Sequence, residues 1–221
     1  MSKRIPEKEE SMITPKEVAE YNLLCRKYLT KWGYEAVIDC LVKEDILQGN
    51  IIDIGTGSGW LAIELIKKSK NYKVTGIDLS EEMLTLAKKN VRSFVDDSAN
   101  IKFIKADAKC VPIEDSFFDA AVSYASLHHW SGNPLEVFKE AFRVVKNGGL
   151  IVIFDLKREE KNLIFVKSIL SKIMRQLFEA SLQASYTLGE IREILSSDTF
   201  TKDWNVVENP MSLGIIGGVS K

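Results

Sequence analysis

Asp53-Ile54-Gly55-Thr56-Gly57-Ser58-Gly59 places three glycines at alternate positions behind an acid, directly after the β-branched pair Ile51-Ile52. Glycine lets a backbone adopt positive φ and approach a ligand closely, and the free amides where a helix begins favour negatively charged groups. Such a turn can hold a ligand by its main chain; a tight structural turn would use the same residues. A dinucleotide fingerprint wants GxGxxG, but here Trp60 stands where the third glycine belongs. No Lys-Ser/Thr pair makes a P-loop and no basic cluster faces a pyrophosphate, so the pattern suits a ligand without phosphates. Two more acids follow at what read as strand ends. Asp78 can accept from both hydroxyls of a ribose and would repel a 2′-phosphate, or it can simply cap the helix opening at Ser80. Asp107 can accept from an exocyclic amine. The only two histidines, His128 and His129, stand side by side, with an unperturbed pKa of about 6.5 that suits proton transfer. Cys25, Cys40 and Cys110 are odd in number and far apart, with no CxxC or Cys/His ligand spacing. They read as free thiols of a reducing, cytoplasmic compartment, and no metal site is expected.

These residues need a frame that brings strand ends together. Thr14-Pro15-Lys16-Glu17 reads as an N-cap, a first-turn proline and an acidic first turn, opening a helix to about Thr30. A second helix follows Gly33 and fades near Glu44. Ile51 to Ile54 is a strand, Leu61 to Ile66 a helix, Lys73 to Asp78 a strand, and Ser80-Glu81-Glu82 opens a helix reaching Val91. Strands at Ile101 to Ala106 and Phe117 to Tyr124 follow, then a helix from Leu135 to Val145. Asn147-Gly148-Gly149 is expected to stop that helix before a strand from Leu150 to Phe154. Strands joined by helical crossovers imply a mainly parallel sheet with helices on both faces. Further on, Leu163 to Leu182 reads as one long helix with a wide apolar face, Thr187 to Leu195 as a short helix, and Trp204 to Val207 and Met211 to Val219 as strands turned back antiparallel at Glu208-Asn209-Pro210.

The 221 residues are one domain's worth of chain. Thirty Lys and Arg against 31 Asp and Glu leave a net charge of −1, which gives no support to a nucleic-acid or anionic-membrane partner. Residues 1–12 read as a mobile tail with neither a signal peptide nor a membrane span. Residues 13–48 form cap helices, 50–156 the ligand-binding core, 157–200 a variable helical cover, and 201–221 a strand hairpin.

The ordered set of Asp53 to Gly59, Val74 to Ser80 with Met83, Asp107 to Pro112, Phe118 to Ser123 with Leu127-His128-His129, and Arg143 to Gly149 resembles the class I S-adenosylmethionine-dependent methyltransferases. The likeness is greatest to the type 11 branch, which includes ubiquinone and menaquinone C-methyltransferases, and it spans about residues 50 to 156. It implies an α/β, Rossmann-like, doubly wound, mostly parallel seven-stranded sheet with an antiparallel C-terminal strand. It further implies S-adenosyl-L-methionine as cofactor, S-adenosyl-L-homocysteine as product and a small-molecule methyl acceptor. By position, Gly55, Thr56 and Gly57 would lie against the methionine portion, Asp78 would hold the ribose, Leu79 flank the adenine, and Asp107 with Ala108 read its edge. Ser123 would line the sulfonium end, and Asp53 would order the glycine turn. Tyr21 and Tyr28 would either close over the cofactor or pack in the ordinary way.

A sulfonium methyl is already electrophilic, so the protein has mainly to hold a nucleophile in line with it. A base is needed only where the acceptor must lose a proton; His128 is the candidate, with loop ordering as the plainer role. The apolar face from Leu163 to Phe178 would roof an acceptor pocket, pack as a core helix, or form a homodimer contact. The competing functions are a nucleotide-dependent oxidoreductase, which Trp60 disfavours, and a non-catalytic binder of the same ligand.

Overall fold

The computed structural model describes residues 3–7, 14–30, 33–95, 100–162 and 170–221. A seven-stranded sheet runs through the molecule in the order β3-β2-β1-β4-β5-β7-β6, with β1 Gly49–Ile54, β2 Tyr72–Asp78, β3 Ile101–Lys105, β4 Phe118–Tyr124, β5 Val145–Leu156, β6 Asn205–Glu208 and β7 Ser212–Gly218. The pairs among β1 to β5 are parallel, while β7 runs antiparallel to both β5 and β6. The order reverses between β1 and β4, so the crevice outside their carboxyl ends is where such a sheet binds ligands.

Period-two alternation sends neighbouring residues to opposite faces. Ile52, Ile54, Ala121, Ile151 and Ile153 join one core, and Ile51, Ala120, Val122, Val152 and Phe154 the other. Helices α2 (Tyr34–Lys43) and α3 (Trp60–Lys68) cover the second face, through Val37, Leu41, Leu61 and Leu65. Helices α5 (Leu135–Val144) and α7 (Leu188–Ser196) cover the first, through Phe138, Ala141, Ile191 and Leu195. α4 (Glu81–Phe94) is capped by Ser80, whose side chain accepts from the Met83 amide. α1 (Pro15–Leu24) has the expected capping box between Thr14 and Glu17 and continues through a π-helical turn at Cys25–Leu29. No helix among the described residues is long and apolar enough to cross a membrane.

Three expectations change. The helix before β5 ends at Val144, and Val145 already pairs with Phe118 as strand. Asn147-Gly148-Gly149 therefore forms a bulge within β5, not a loop ahead of it. A side chain at Gly149 would strike the Asp119 carbonyl and Val145, and Lys146 is held by Asp119 at 2.6 Å. The single helix expected from Leu163 is interrupted: Leu170 is a bend and Ser171 caps α6 (Lys172–Ala184), accepting from the Met174 amide. Positions 163–169 of that expectation lie outside the described residues. Finally, part of the expected mobile tail is docked. The Ile5 amide donates to the Gln183 carbonyl at 3.1 Å, Arg4 Nε donates to the Ala184 carbonyl at 2.5 Å, and the Arg4 guanidinium lies 4.2 Å over the Tyr186 ring.

Candidate functional site

Gly55, Gly57 and Gly59 all have positive φ, at 70°, 52° and 78°. At Gly55 a side chain would also overlap the Ser126 hydroxyl, so the turn lies directly against the loop after β4. Asp53 is buried behind the turn and accepts from the Thr56 hydroxyl at 2.6 Å. That bond ties the turn to the end of β1 from within. Burial pushes its carboxyl from 3.8 up to about 7, with Asp78 adding to the rise and Thr56 opposing it.

That shift has a testable sign. Between pH 3.8 and about 7 the folded chain keeps a proton that the unfolded chain has lost. This stability is full below the lower value and disappears as pH rises through the upper one. Asp53→Asn retains an acceptor for Thr56 but carries no charge, so it is expected to be more stable than the parent at pH 8, by up to about 4 kcal/mol, with little difference near pH 4. Denaturant unfolding at the two pH values checks this, and parallel pH profiles for both proteins would contradict it.

Asp78 ends β2 with its two oxygens divided: Oδ2 accepts from the Gly57 amide and Oδ1 from the Ser80 amide, each at 2.9 Å. The structure shows the capping reading: the half-buried carboxylate pins the glycine turn and steadies the entry to α4. Leu79 is 64% exposed, an apolar surface beside it. Asp107 is exposed, and its Oδ1 accepts from the Lys109 amide at 2.9 Å; Ala108 beside it is half-buried. Ser123 does not line the crevice. It is fully buried and its hydroxyl donates to the Ile54 carbonyl, at the end of β1, at 2.8 Å.

Trp60 explains why the third glycine position can hold a large residue. Its ring is buried, and Nε1 donates to Asn22 Oδ1 at 2.7 Å; Asn90 Nδ2 donates to the same oxygen and to the Ser58 carbonyl, both at 2.8 Å. α1 and α4 are thereby tied to the glycine turn. Tyr21 on α1 reaches over that turn, with its hydroxyl 3.5 Å from where a Gly57 side chain would begin.

Beyond Tyr21 a cavity of about 420 Å³ opens. Leu24, Tyr28 and Leu29 form one wall, Met174, Leu177 and Phe178 of α6 the roof, and Pro210 with Met211 another side. Tyr124 and Ala125, at the end of β4, lie at its inner end with His128. His128 is buried. Asp155 at the end of β5 accepts from its backbone amide at 2.6 Å and lies 2.7 Å from ring Nδ1. A carboxylate there keeps the proton on Nδ1 and leaves Nε2 as the free nitrogen, and Nε2 has no hydrogen-bond partner among the described residues. Burial disfavours a charged ring, but Asp155 and Glu7 outweigh it and raise the His128 pKa.

His129 is partly exposed, with its ring 4.0 Å from that of His128 and Nδ1 2.6 Å from Glu7 Oε2. Burial works against the charge of Glu7, but His129 and the Ser181 hydroxyl, 2.7 Å away, hold its pKa low. Sequence reading missed Glu7, Asp155, Asn22 and Ser126. The contacts that matter here, Glu7 with His129 and Ser181, Asp155 with His128, Asn22 with Trp60 and Asn90, and Ser126 with Gly55, join residues tens of positions or more apart, so no local spacing marks them.

A sheet in this order with β7 reversed, carrying a glycine turn at the end of β1 and an acid at the end of β2, is the fold of class I S-adenosylmethionine-dependent methyltransferases. Residues 51–149 match the family model described as a methyltransferase domain. It is 32% identical over 135 residues to the demethylmenaquinone methyltransferase of Porphyromonas gingivalis, covering 59% of this chain and 54% of that protein. The chain spans about half the length of the curated relatives it matches. Among solved structures, the plantazolicin methyltransferase BpumL in complex with SAH aligns with a TM-score of 0.78 at 16% identity, covering 96% of this chain and 93% of that one. A SAM-dependent methyltransferase from Aquifex aeolicus aligns with a TM-score of 0.66 at 23% identity, covering 93% and 98%. At these identities the structural likeness is one of fold.

Proposed function

We propose that this chain transfers the methyl group of S-adenosylmethionine to a small organic acceptor with an apolar body. The observation that carries this is Tyr21, which reaches over the glycine turn at Gly57 and also lines the cavity. A cofactor on the turn would have its reactive end within reach of whatever fills the cavity. The residues fit the cofactor. Gly55 and Gly57 carry no side chain toward it, Asp78 keeps an open edge for the ribose hydroxyls, Leu79 is an apolar ledge for adenine, and Asp107 with Ala108 stands at its rim. Bound there, the cofactor supplies an electrophilic methyl. The chain's part is to exclude water, hold the acceptor in line with the S–CH3 bond, and provide for any proton that must leave. For an acceptor carrying such a proton, His128 Nε2 is the base, oriented by Asp155 through the opposite ring nitrogen.

The match to demethylmenaquinone methyltransferase supports the finer reading, a place in the type 11 branch with a quinone-type acceptor, and the apolar walls suit one. Cys25, Cys40 and Cys110 are unpaired, in keeping with a reducing cytoplasmic setting. Incubation of the protein with methyl-labelled cofactor and a small-molecule extract is expected to move label into an organic-soluble product, with S-adenosylhomocysteine released in equal amount. Label entering only RNA or protein would overturn the acceptor class, and cofactor binding without any transfer would favour the non-catalytic reading.

A further inference from the structure

The inner end of the cavity brings together three groups that the sequence keeps apart: Glu7 from the N-terminal segment, and His128 and His129 from the loop after β4. One ligand atom from each lies within 4.8 Å of the other two. His128 Nε2 is buried without a hydrogen-bond partner among the described residues. Leaving a buried polar atom unsatisfied is costly, so an orphan of this kind calls for a purpose. Glu7 Oε2 is also buried, with His129 Nδ1 as a close neighbour.

We propose that Glu7, His128 and His129 form a binding site for a divalent transition metal of the zinc class, open on its fourth side to the cavity. Two imidazoles and a carboxylate are a donor set that zinc-class ions take in sites that keep a position free for water or substrate. The outer shell is already present. Asp155 holds Nδ1 of His128 at 2.7 Å, the carboxylate–histidine arrangement that fixes the tautomer and aims Nε2 at a metal. Metal–ligand bonds of about 2.0–2.2 Å require the three groups to rearrange, with Glu7 Oε2 and His129 Nδ1 giving up their 2.6 Å contact to the metal. His129, whose side chain is 42% exposed, has room to make that movement, whereas Glu7 is buried and held by the Ser181 hydroxyl at 2.7 Å, so His129 does most of it. The cation would then fasten residues 3–7 over the cavity.

Metal binding itself does not depend on the methyltransferase reading; its consequence does. A hydroxyl or thiol acceptor entering the open position would lose its proton to solvent more readily there. Its oxygen or sulfur would then form a bond to the methyl carbon as the carbon–sulfonium bond breaks, releasing S-adenosylhomocysteine. In that form His128 is a ligand and not a base, so the two roles exclude each other.

The test uses the untagged full chain, stripped of metal with a chelator and titrated with Co²⁺, followed by displacement with Zn²⁺. The expected result is one cobalt per chain with the strong visible absorption of four-coordinate cobalt, lost on adding zinc. Glu7→Gln and His129→Ala are each expected to weaken binding by about 10-fold or more, while Cys110→Ser, which removes an exposed thiol, leaves it unchanged. No binding, or binding that survives both Glu7→Gln and His129→Ala, overturns the site. S-adenosylhomocysteine is titrated in parallel: its failure to bind while cobalt binds normally would remove the methyltransferase reading and leave the metal site standing.

Discussion

Asp78→Ala is expected to lower the affinity for S-adenosylhomocysteine by about 100-fold while the chain stays folded. Its carboxylate now accepts from the Gly57 and Ser80 amides, and hydrogen bonds to a charged group contribute about 1.5–3 kcal/mol each. Alanine removes the hold on the glycine turn and the ribose acceptor together. Two such losses amount to roughly 3 kcal/mol in binding, or about two powers of ten. Asp78→Asn keeps one acceptor oxygen and should fall between the two. Isothermal calorimetry on all three proteins is the measurement, with circular dichroism to confirm folding. A change smaller than about threefold in the folded alanine variant would remove Asp78 from the cofactor site.

Gly55→Ala should cost about 2–5 kcal/mol of stability and abolish measurable cofactor binding. Two penalties coincide there. A side chain at φ 70° sits in the left-handed region, at roughly 1–2 kcal/mol. The added methyl also overlaps the Ser126 hydroxyl, and overpacking of this kind costs about 1–3 kcal/mol. Ser126 cannot simply swing away, because its hydroxyl accepts from Trp130 Nε1 at 3.1 Å. The components separate in a double-mutant cycle. Ser126→Gly alone loses that hydrogen bond, about 1 kcal/mol, but in the Gly55→Ala background it relieves the overlap. The double variant should therefore be more stable than the sum of the singles by about 1 kcal/mol or more. Strict additivity in denaturant unfolding would show that the clash is absorbed elsewhere.

Much of the frame was legible because its signals are local. Thr14 with Glu17 and Thr187 with Glu190 are capping boxes spaced by the helix itself, and continuous apolar runs such as Ala120 to Val122 and Leu150 to Phe154 mark strands buried on both faces. The errors fell where a distant contact decides. Gly148 and Gly149 look like a helix stop, but β4 recruits the residues around them into β5. Ser123 looked available to a ligand, but it is buried with its hydroxyl donating to the Ile54 carbonyl.

The sequence by itself determined the sheet, the glycine turn and the acids at the strand ends, because each of these depends on residues within a few positions of one another. Only the tertiary structure decided what stands at the acceptor end. There Asp155 fixes His128 across 27 residues, and Arg4 ties the N-terminal segment to the His128 carbonyl across 124. Such contacts are made by closing long loops around a shared core, and the resulting distances leave no periodicity or spacing in the chain to be read.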